Sequence, residues 1–457
     1  MNSTRKGGRL GFLSPEEIED IHLATLHVLK TTGVAVKHPD ALDLLRQAGA
    51  WVDEAQGRAR LPEHMVMKSI STVPKTITLY GRGDPRHNLR VEGKRVHFGT
   101  GGAAIYVLDL DTGTRRLATT KDVSDFARLV EALDHVHFFM IPLFPSDVSK
   151  DDADLARYEA ALPHTTKHVT AGVHVESACA RVLDMVTDLA GGPEALRMRP
   201  FISMVADTVS PLTLERVNCN TTMECARRGV PVICGSEALS GGTSPATLAG
   251  TLVVINAEVL AALCLHQSTQ PGAPFLYGTI SSIMDLRKGT YTAGAVETGM
   301  ISGAVAQVAQ KYGIPLYATA GMSDAKISDC QAGMEKAMTL LVAGLSGANY
   351  IHDAAGMLEL ALTMSYEQTV IDNEIIGMVL RVMEGITVND DTLAVDVIAS
   401  VGPQGQYLGQ RHTLKHMRQE HFIPTLADRS RREEWMEQGS KDLRTVAVEQ
   451  ARAILMK

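Results

Sequence analysis

Eight short apolar runs, each bounded by turn-forming residues, recur along most of the chain and constrain its fold more than any other feature. They begin at residues 95, 135, 167, 200, 230, 273, 314 and 348 and read RVHFGTG, HVHFFMIPLF, KHVTAGV, PFISMVA, VPVICGS, APFLYGT, IPLYATA and ANYIHDA. The segments between them have helical spacing of apolar residues, as in ESACARVLDMVTDLAGG. Strands that alternate with helices pair in parallel through right-handed crossovers. Eight such units predict an α/β fold, a (β/α)8 TIM barrel, with a doubly wound open sheet as the main alternative.

The eight strand–helix units do not include the N-terminal and C-terminal parts of the chain. Residues 1–90 are predicted to form an α-rich extension, which starts with a helix capped by Ser14 with Pro15 as its first residue. Within this extension, KTITLYGRG is predicted to be a short strand. Residues 91–400 are assigned to the barrel, and residues 401–457 to a charged helical segment packed on its outside.

Two barrel helices are predicted to start at a serine followed by a proline. In VSPLTLERV, Ser210 is expected to be the N-cap and Pro211 the first helical residue. Ser244 and Pro245 are expected to have the same roles in SGGTSPATLAG. These predictions follow from the preference of serine for the N-cap and of proline for the first turn.

Composition excludes several classes of function. The 457 residues carry a net charge of −8 and contain no Lys/Arg-rich run, so a nucleic-acid partner is not expected. The segment MNSTRKGGRLGFLSPEE lacks the apolar stretch of a secretory signal. The longest apolar segment, GTLVVINAEVLAALCLH, is interrupted by Asn256 and Glu258, which predicts a buried helix and not a membrane span. We therefore expect a cytoplasmic protein without membrane contact.

The six cysteines include no Cys-x-x-Cys pair, and several lie in apolar strands or helices. This distribution predicts reduced thiols in a cytoplasmic core, with no disulfide and no zinc site. Cys330 follows the polar cluster after the seventh strand, so it is the candidate for a reactive thiol.

Polar side chains that follow the predicted strands form the candidate site, because these positions line the mouth of a (β/α)8 barrel. Glu237, Asp324 and His352 are the candidate catalytic residues. The candidate substrate-binding residues are Tyr106, Tyr277, Asp285, Tyr317, Ser323, Tyr350 and Asp353. Aromatic residues make up only 5% of the chain, so this number of tyrosines is notable. Tyrosine rings attract quaternary ammonium groups and carboxylates balance their charge, which indicates a cationic substrate.

Several alternatives remain open at this point. The sequence has no Gly-x-Ser-x-Gly, Walker, Gly-x-Gly-x-x-Gly or His-Glu-x-x-His motif, and GTGG at 99–102 is predicted to allow close backbone approach. Tyr277 and Tyr317 could be barrel-core residues, and His352 could form a satisfied core pair with its neighbour. Lys326 allows a Schiff-base barrel lyase. A non-catalytic amine-binding barrel is the other alternative.

Four sequence blocks carry a resemblance to a known family. AGMSDAKISDCQAGMEK, SGGTSPATLAGTLVVINAEVLA, LTMSYEQTVIDNEI and GQYLGQRHTLKHMRQEHFIPTLADRSRREEW are similar to the trimethylamine methyltransferase family. The similarity extends from about residue 10 to the end of the chain. It implies a cytoplasmic (β/α)8 barrel, in a homo-oligomer, that transfers a methyl group from a methylated amine to cobalt. The corrinoid (cobalamin) would be carried by a separate partner protein, with no cofactor bound tightly by this chain.

The archaeal trimethylamine enzymes contain pyrrolysine, whereas this sequence has only standard residues. It therefore resembles the branch that demethylates quaternary amines such as glycine betaine. Glycine betaine enzymes tend to have an arginine near the end of the seventh strand, where this chain has Tyr317, so the resemblance leaves the amine open. His352 could then contribute to carboxylate recognition. A quaternary nitrogen is already an activated leaving group, so the enzyme's task is to position the methyl carbon.

Overall fold

The computed structural model describes residues 7–457. Residues 1–6, which begin the segment predicted to lack a secretory signal, lie outside the described residues. Eight strands form a parallel sheet, with the bounds β1 His97–Thr100, β2 Phe139–Met140, β3 Val169–Gly172, β4 Ile202–Val205, β5 Val232–Ser236, β6 Phe275–Thr279, β7 Leu316–Thr319 and β8 Tyr350–Ala355. Each strand coincides with one of the eight apolar runs, so the predicted positions of all eight are confirmed.

The sheet is closed into a barrel. Its strand order is β1-β8-β7-β6-β5-β4-β3-β2, and every neighbouring pair is parallel. A parallel bridge between Gly99 and Phe138 joins the two end strands. A Cβ atom at residue 99 would lie 2.3 Å from the Phe138 ring, so this approach requires glycine, as predicted for the GTGG segment. The predicted (β/α)8 barrel is thereby confirmed over the open sheet.

Eight helices surround the strands, with the bounds α1 Thr120–Glu131, α2 Lys150–Ala161, α3 Glu176–Ala190, α4 Arg216–Arg228, α5 Leu248–Thr269, α6 Val296–Tyr312, α7 Cys330–Ser346 and α8 Tyr366–Glu384. Shorter helical turns lie at Pro85–His87, Leu162–His164 and Pro193–Met198. By length and composition α5 could cross a membrane, but 72% of its most apolar stretch is buried inside the protein. The two polar residues that interrupt its apolar segment are satisfied internally: Asn256 accepts a hydrogen bond from Tyr277 and Glu258 accepts one from Ser236, as expected of a buried core helix.

A hairpin closes the floor of the barrel, at the end where the strands begin. Its strands are Thr76–Leu79 and Leu89–Glu92, which confirms the short strand predicted in KTITLYGRG. Side chains of the hairpin and of the barrel interior form one apolar cluster, made of Ile77, Leu79, Leu89, Val91, Phe138, Met140, Val205, Ile233, Leu276, Tyr317 and Tyr350. The floor is therefore filled, and the opposite end of the barrel is the one that can hold a ligand.

The rest of the extension packs against the barrel helices. It contains the helices Pro15–Thr31, Pro39–Gln47 and Glu63–Thr72 and the strands Val34–Val36, Trp51–Asp53 and Arg58–Arg60. Ser14 caps the first helix and forms a capping box with Glu17, so the predicted helix start is confirmed. The strand Val34–Val36 pairs in parallel with Thr213–Leu214, which follows β4. The sequence did not predict these short strands.

Two small sheets stand on the βα loops around the mouth. The first joins Met357–Leu358, Thr363–Ser365, Tyr106–Leu108 and Arg115–Leu117. The second joins Leu239–Ser240, Ser282–Asp285 and Thr290–Tyr291. The first sheet joins the loops after β1 and β8 by backbone hydrogen bonds, and the second joins the loops after β5 and β6. The loops around the mouth are therefore ordered by these sheets.

The C-terminal part contains the helices Asp390–Leu393, Val395–Val401, Arg411–Glu420, Arg432–Glu437 and Leu443–Leu455. The last of these packs on α8 and α1 and buries Ala447 and Ala451. An ion pair of 3.2 Å between Arg444 and Glu367 also ties this helix to α8. The final helix therefore lies on the outside of the barrel.

The helix start predicted at Ser210 and Pro211 is wrong. Helix α4 begins only at Arg216. The Ser210 hydroxyl does not cap a helix but donates to the carboxylate of Glu258 at 2.8 Å, and the peptide bond to Pro211 is cis. The Ser210 hydroxyl therefore bonds to the buried carboxylate of Glu258 on α5 and not to a backbone amide at the start of α4.

The start predicted at Ser244 and Pro245 is also wrong. Helix α5 begins at Leu248, and its N-cap residue, Thr247, makes no side-chain capping bond. The Ser244 hydroxyl lies 2.9 Å from the Thr251 hydroxyl, one turn inside the helix. The proline belongs to the loop that leads into the helix.

All six cysteines are free thiols, and five of them are buried. Burial raises the pKa of Cys179 to about 11 and that of Cys264 to about 12, so these thiols stay protonated at neutral pH. Cys330 is exposed at the first position of α7, outside the core.

Candidate active site

A cavity of about 400 Å³ opens at the mouth of the barrel, a volume suited to a small molecule. Residues from the ends of most strands and from the loops after them line it. They are Gly102, Ala103, Met140, Arg157, Gly172, His174, Val205, Asp207, Glu237, Leu239, Ile280, Tyr291, Tyr317, Met322, His352, Asp353, Met357 and Ala361.

Three carboxylates from different strands converge on this cavity: Asp207 after β4, Glu237 after β5 and Asp353 in β8. Asp207 accepts a hydrogen bond of 2.8 Å from the backbone amide of Gly235. Among the described residues, no group hydrogen-bonds the carboxylate of Glu237. Its negative charge is therefore available to a ligand in the cavity.

The backbone around Asp353 is built to hold its carboxylate in place. Asp353 has φ of 60°, a left-handed conformation that is uncommon for residues other than glycine. Its Oδ2 accepts a 2.8 Å hydrogen bond from Thr319 and lies 2.9 Å from Nδ1 of His352, whereas Oδ1 has no partner among the described residues. A Cβ atom at Gly101 would lie 1.7 Å from Oδ1, so only glycine leaves room for this carboxylate.

Aromatic and sulfur-containing side chains make up much of the remaining wall. The ring of Tyr317 stacks on that of His352, with centroids 3.9 Å apart and an interplanar angle of 2°. The Tyr317 hydroxyl lies 3.3 Å from the sulfur of Met140, and that of Tyr291 lies 3.8 Å from the sulfur of Met322. Rings and thioethers are polarisable and only weakly hydrated, so this wall suits methyl groups next to a positive charge.

One guanidinium also lines the cavity. Arg157, on α2, is 1% exposed, and its Nη2 donates to the carbonyl of Ile141 at 3.2 Å. Its Nη1 lies 3.6 Å from the carboxylate of Asp154, which is also buried and bonded to His174. The charge of Arg157 is therefore offset by Asp154 and does not neutralise the three carboxylates of the cavity.

The carboxyl groups of the cavity have raised pKa values. Burial raises the pKa of Asp207 well above its ordinary value, and repulsion from Glu237 adds to this shift. Desolvation in the mouth also raises the pKa of Glu237, and repulsion from Glu258 contributes, whereas His352 acts in the opposite direction. Glu237 is nevertheless exposed at the open end of the cavity, whereas Asp207 is more enclosed. Like charges held close together favour protonation until a cation joins them.

The structure brings four of the predicted site residues together in the cavity. Glu237, Tyr317, His352 and Asp353 line it. Three further predicted residues lie near the strand ends but do not line it. Tyr277 faces helix α5 and donates to Asn256, and Tyr350 is stacked on Phe138 in the barrel interior. Ser323 is buried and donates to Glu335.

The other predicted residues lie in the mouth sheets and loops. Tyr106 lies under the guanidinium of Arg115, which is 4.1 Å from its ring centre. Asp285 lies at the end of a mouth strand and pairs with Arg287 at 2.9 Å. Lys326 is exposed and donates to the carbonyl of Asp324, away from the cavity, so its position gives the Schiff-base alternative no support.

Asp324 does not line the cavity but contacts the loop that carries Tyr291, one of the lining residues. Its carboxylate accepts a 2.7 Å hydrogen bond from the backbone amide of Ala293, close to Tyr291, which lines the cavity. Burial raises the pKa of Asp324, and Glu335 adds repulsion. This geometry predicts a role in holding the loop that carries Tyr291.

We expect Asp324→Asn to retain most of the enzymatic activity, because an amide oxygen can still accept the hydrogen bond from Ala293. Asp324→Ala should lower kcat/KM by roughly tenfold, since one buried hydrogen bond is worth about 1–2 kcal/mol. Steady-state kinetics of the two variants would test this. A strong loss in Asp324→Asn would instead show that the charge itself acts on the substrate, and unchanged kinetics in both would remove Asp324 from the site.

Several lining residues were not among the predicted site residues. Asp207, His174 and Tyr291 follow strands, so the rule that strand ends line the mouth places them among the polar residues around it, but they were not selected as catalytic or substrate-binding candidates. Arg157 projects from helix α2, and Met140 ends β2 inside an apolar run. For these two, no local sequence signal indicates the cavity.

Comparisons with known proteins agree with the resemblance carried by the four sequence blocks. A family model described as trimethylamine methyltransferase (MTTB) matches residues 2–457. Trimethylamine methyltransferase MttB of Desulfitobacterium hafniense (strain DSM 10664 / DCB-2) is 40% identical over 98% of this chain and 90% of its own. Trimethylamine methyltransferase MttB of Methanosarcina barkeri (strain Fusaro / DSM 804) is 38% identical, over 98% and 91%. Glycine betaine methyltransferase of Desulfitobacterium hafniense (strain Y51) is 33% identical, over 93% and 88%.

Solved structures support the fold. The monomethylamine methyltransferase MtmB of Methanosarcina barkeri superimposes with a TM-score of 0.51 and 14% sequence identity. The superposition covers 99% of this chain and 96% of that chain. At this identity the match shows a shared fold, and the chemistry must be argued from the cavity itself.

Proposed function

Because this chain belongs to the trimethylamine methyltransferase family and is a methyltransferase, we propose that it transfers a methyl group from a quaternary amine to a corrinoid protein. The observation that carries the proposal is the convergence of Asp207, Glu237 and Asp353 on one cavity walled by tyrosine rings. Among the described residues, Arg157 is the one guanidinium that lines the cavity, and it is already paired with Asp154. The cavity therefore has an excess of negative charge, which a permanently cationic substrate would balance.

The proposed type of amine depends on which nitrogen can leave without activation by the protein. Pyrrolysine is absent from the sequence, and we assign the chain to the family branch that uses quaternary amines. A quaternary nitrogen leaves as a neutral tertiary amine, so no general acid is needed. A tertiary amine would need activation first. Desolvation raises the pKa values of Asp207 and Glu237, and repulsion from neighbouring carboxylates adds to it; a bound quaternary cation would offset both effects.

In the proposed step, the carbon–nitrogen bond breaks and its electron pair stays on nitrogen. The methyl acceptor is the Co(I) of the partner corrinoid, which supplies the electron pair of the new bond to carbon. This chain holds the ammonium group between the carboxylates and the rings of Tyr291 and Tyr317. Its contribution is to aim the methyl carbon in line towards the open mouth and to exclude water from the cavity.

The partner, the assembly and the location are also proposals. The corrinoid domain would dock over the barrel mouth, because the cobalt must reach the cavity from the open end. We propose a homo-oligomer in the cytoplasm, supported by exposed apolar side chains on the outer faces of α7 and α8, namely Met334, Met338, Met378 and Val382. Five buried free thiols agree with a reducing compartment.

The test is a spectroscopic assay with the cognate corrinoid protein in its Co(I) state. Quaternary amines and methylamines are added one at a time, and loss of Co(I) with gain of methyl-Co(III) is followed by absorbance. Turnover with a quaternary amine would support the proposal and identify the substrate. Turnover with tertiary amines alone would contradict the proposed substrate class. Binding of an amine without any methyl transfer would favour the amine-binding alternative.

The pH dependence of substrate binding is a further prediction. At low pH, Asp207 and Glu237 are protonated because their pKa values are raised, and neutral carboxyl groups cannot pair with an ammonium group. The kcat/KM for a quaternary amine should therefore rise as the pH increases through these raised pKa values, and binding should release protons. Calorimetry in buffers of different ionisation enthalpy would measure this release. A flat profile without proton release would contradict direct contact between these groups and the cation.

A further inference from the structure

A second cluster of potential ligands lies in the C-terminal part of the chain, and none of its residues lines the cavity at the barrel mouth. Asp391, His412 and His416 each offer one ligand atom, and these atoms lie within 4.8 Å of one another. The two histidines are four residues apart on the helix Arg411–Glu420, so both project from the same face. Two imidazoles and one carboxylate are a donor set that suits Zn²⁺ and related ions.

The hydrogen bonds within the cluster already resemble those of a metal site. Nε2 of His416 lies 3.1 Å from Oδ2 of Asp391. Nε2 of His412 lies 2.9 Å from the backbone carbonyl of Asp391 and must donate to it, so its Nδ1 keeps a free lone pair. Ligating histidines are commonly oriented by such a bond to a carbonyl. Small side-chain rotations would bring the donors to the ~3.4 Å separation of tetrahedral ligands at ~2.1 Å.

The segment around the cluster has little apolar core of its own, so a bound metal ion could stabilise it. None of its three helices, Asp390–Leu393, Val395–Val401 and Arg411–Glu420, has a buried residue. Ile386 is 87% exposed and Leu408 is 83% exposed, so apolar burial within the chain contributes little here. Small units without a core are commonly held by a metal ion, which adds its binding free energy to folding.

We propose that Asp391, His412 and His416 bind a divalent transition-metal ion of the Zn²⁺ class, which pins the helix Arg411–Glu420 to the helix Asp390–Leu393. Water would complete the coordination, since the cluster is partly open to solvent. The ammonium of Lys415 is a competitor, because its Nζ lies 2.6 Å from the Asp391 carboxylate oxygen that faces His416. Metal binding would displace Lys415 into solvent, where its 61% exposed side chain can move freely. The role of this site is structural and independent of the reaction at the barrel mouth.

The test uses the full chain, stripped with a chelator and titrated with Co²⁺ as a visible probe for Zn²⁺ sites. We expect one bound ion per chain with d–d absorption bands, displaced by Zn²⁺. His416→Ala and His412→Ala should each weaken binding by at least about tenfold. Metal should also slow proteolysis within residues 386–425 in the wild-type chain and not in these variants.

Two variants make the outcome specific to the cluster. His421→Ala removes an exposed histidine just beyond the same helix and should bind Co²⁺ like the wild-type chain. Lys415→Gln removes the competing ammonium and should bind several-fold more tightly, a gain that loss of folding cannot produce. Equal Co²⁺ binding by the wild-type chain and His416→Ala would overturn the proposal, as would weaker binding by Lys415→Gln.

Discussion

Replacing Glu237 with glutamine is expected to lower kcat/KM for a quaternary amine by roughly 30- to 100-fold, equal to about 2–2.7 kcal/mol. The substitution preserves the size and shape of the side chain and removes its charge. Glu237 lines the cavity, and its carboxylate accepts no hydrogen bond from the described residues. Its charge is therefore free to act on the ligand, and no internal partner is left unsatisfied by the change.

The measurement is methyl transfer to the corrinoid protein over a range of amine concentrations. Asp285→Asn is the matched control, because it also removes one negative charge but lies outside the cavity and pairs with Arg287. We expect the control to stay within about twofold of the wild-type rate, since the charge of Asp285 is outside the cavity and already compensated by Arg287. If Glu237→Gln behaved like the control, Glu237 would have no part in holding the cation.

Lys336→Met is expected to lower the free energy of unfolding by roughly 3–5 kcal/mol, the largest effect on stability that we predict. Lys336 and Asp372 are both fully buried and form an ion pair of 2.9 Å between α7 and α8. Lys336 also donates to the carbonyl of Gly321, and Asp372 accepts from the amide of Gly356 at 2.7 Å. Methionine fills the space of the lysine stem but leaves the carboxylate of Asp372 buried without its cation.

Denaturant unfolding of the purified variant would measure this loss. Lys441→Met is the control, because it breaks an exposed pair with Glu449 and should cost less than about 1 kcal/mol. The double variant Lys336→Met, Asp372→Asn should regain part of the stability, since no uncompensated charge remains. Equal losses in Lys336→Met and Lys441→Met would show that the buried pair contributes no more than a surface one.

The same buried pair also connects stability to the active site. Gly321 and Gly356, whose backbones it holds, each precede a methionine that lines the cavity, Met322 and Met357. Loss of Lys336 would therefore loosen the wall between β7 and β8 as well as the helices outside it. Both residues lie in blocks that carry the family resemblance, but nothing in the sequence indicates that they pair, so this contact comes from the three-dimensional structure alone.

The helix starts predicted at Ser14 and Ser210 rest on a local capping pattern, and a hydrogen-bond acceptor distant in sequence decided which one formed. The capping box at Ser14 formed as predicted, because Glu17 is its partner within the same turn. The serine before Pro211 did not cap α4, because the buried carboxylate of Glu258 accepts its hydroxyl hydrogen instead. Glu258 lies 48 residues further along the chain, so no local pattern could indicate this choice.

The direction of each tyrosine could not be predicted for a related reason. Barrel strands are buried on both faces, so apolar residues follow one another without the alternation that marks inside and outside. In β6, Leu276 points into the barrel and Tyr277 outwards to α5, whereas in β7 Tyr317 points inwards to the cavity. Only the register of the closed sheet decides which of two neighbours faces the substrate.

By itself, the sequence determined the eight strands, the barrel they form and the family to which the chain belongs. These properties depend on short apolar runs, on helical spacing and on long blocks of residues, all of which can be observed along the chain. The tertiary structure alone decided which polar residues share one cavity and that Arg157, on a helix, belongs to it. The physical reason is that charge and exposure at a site depend on neighbours from distant strands, which closure of the barrel brings within a few ångströms of each other.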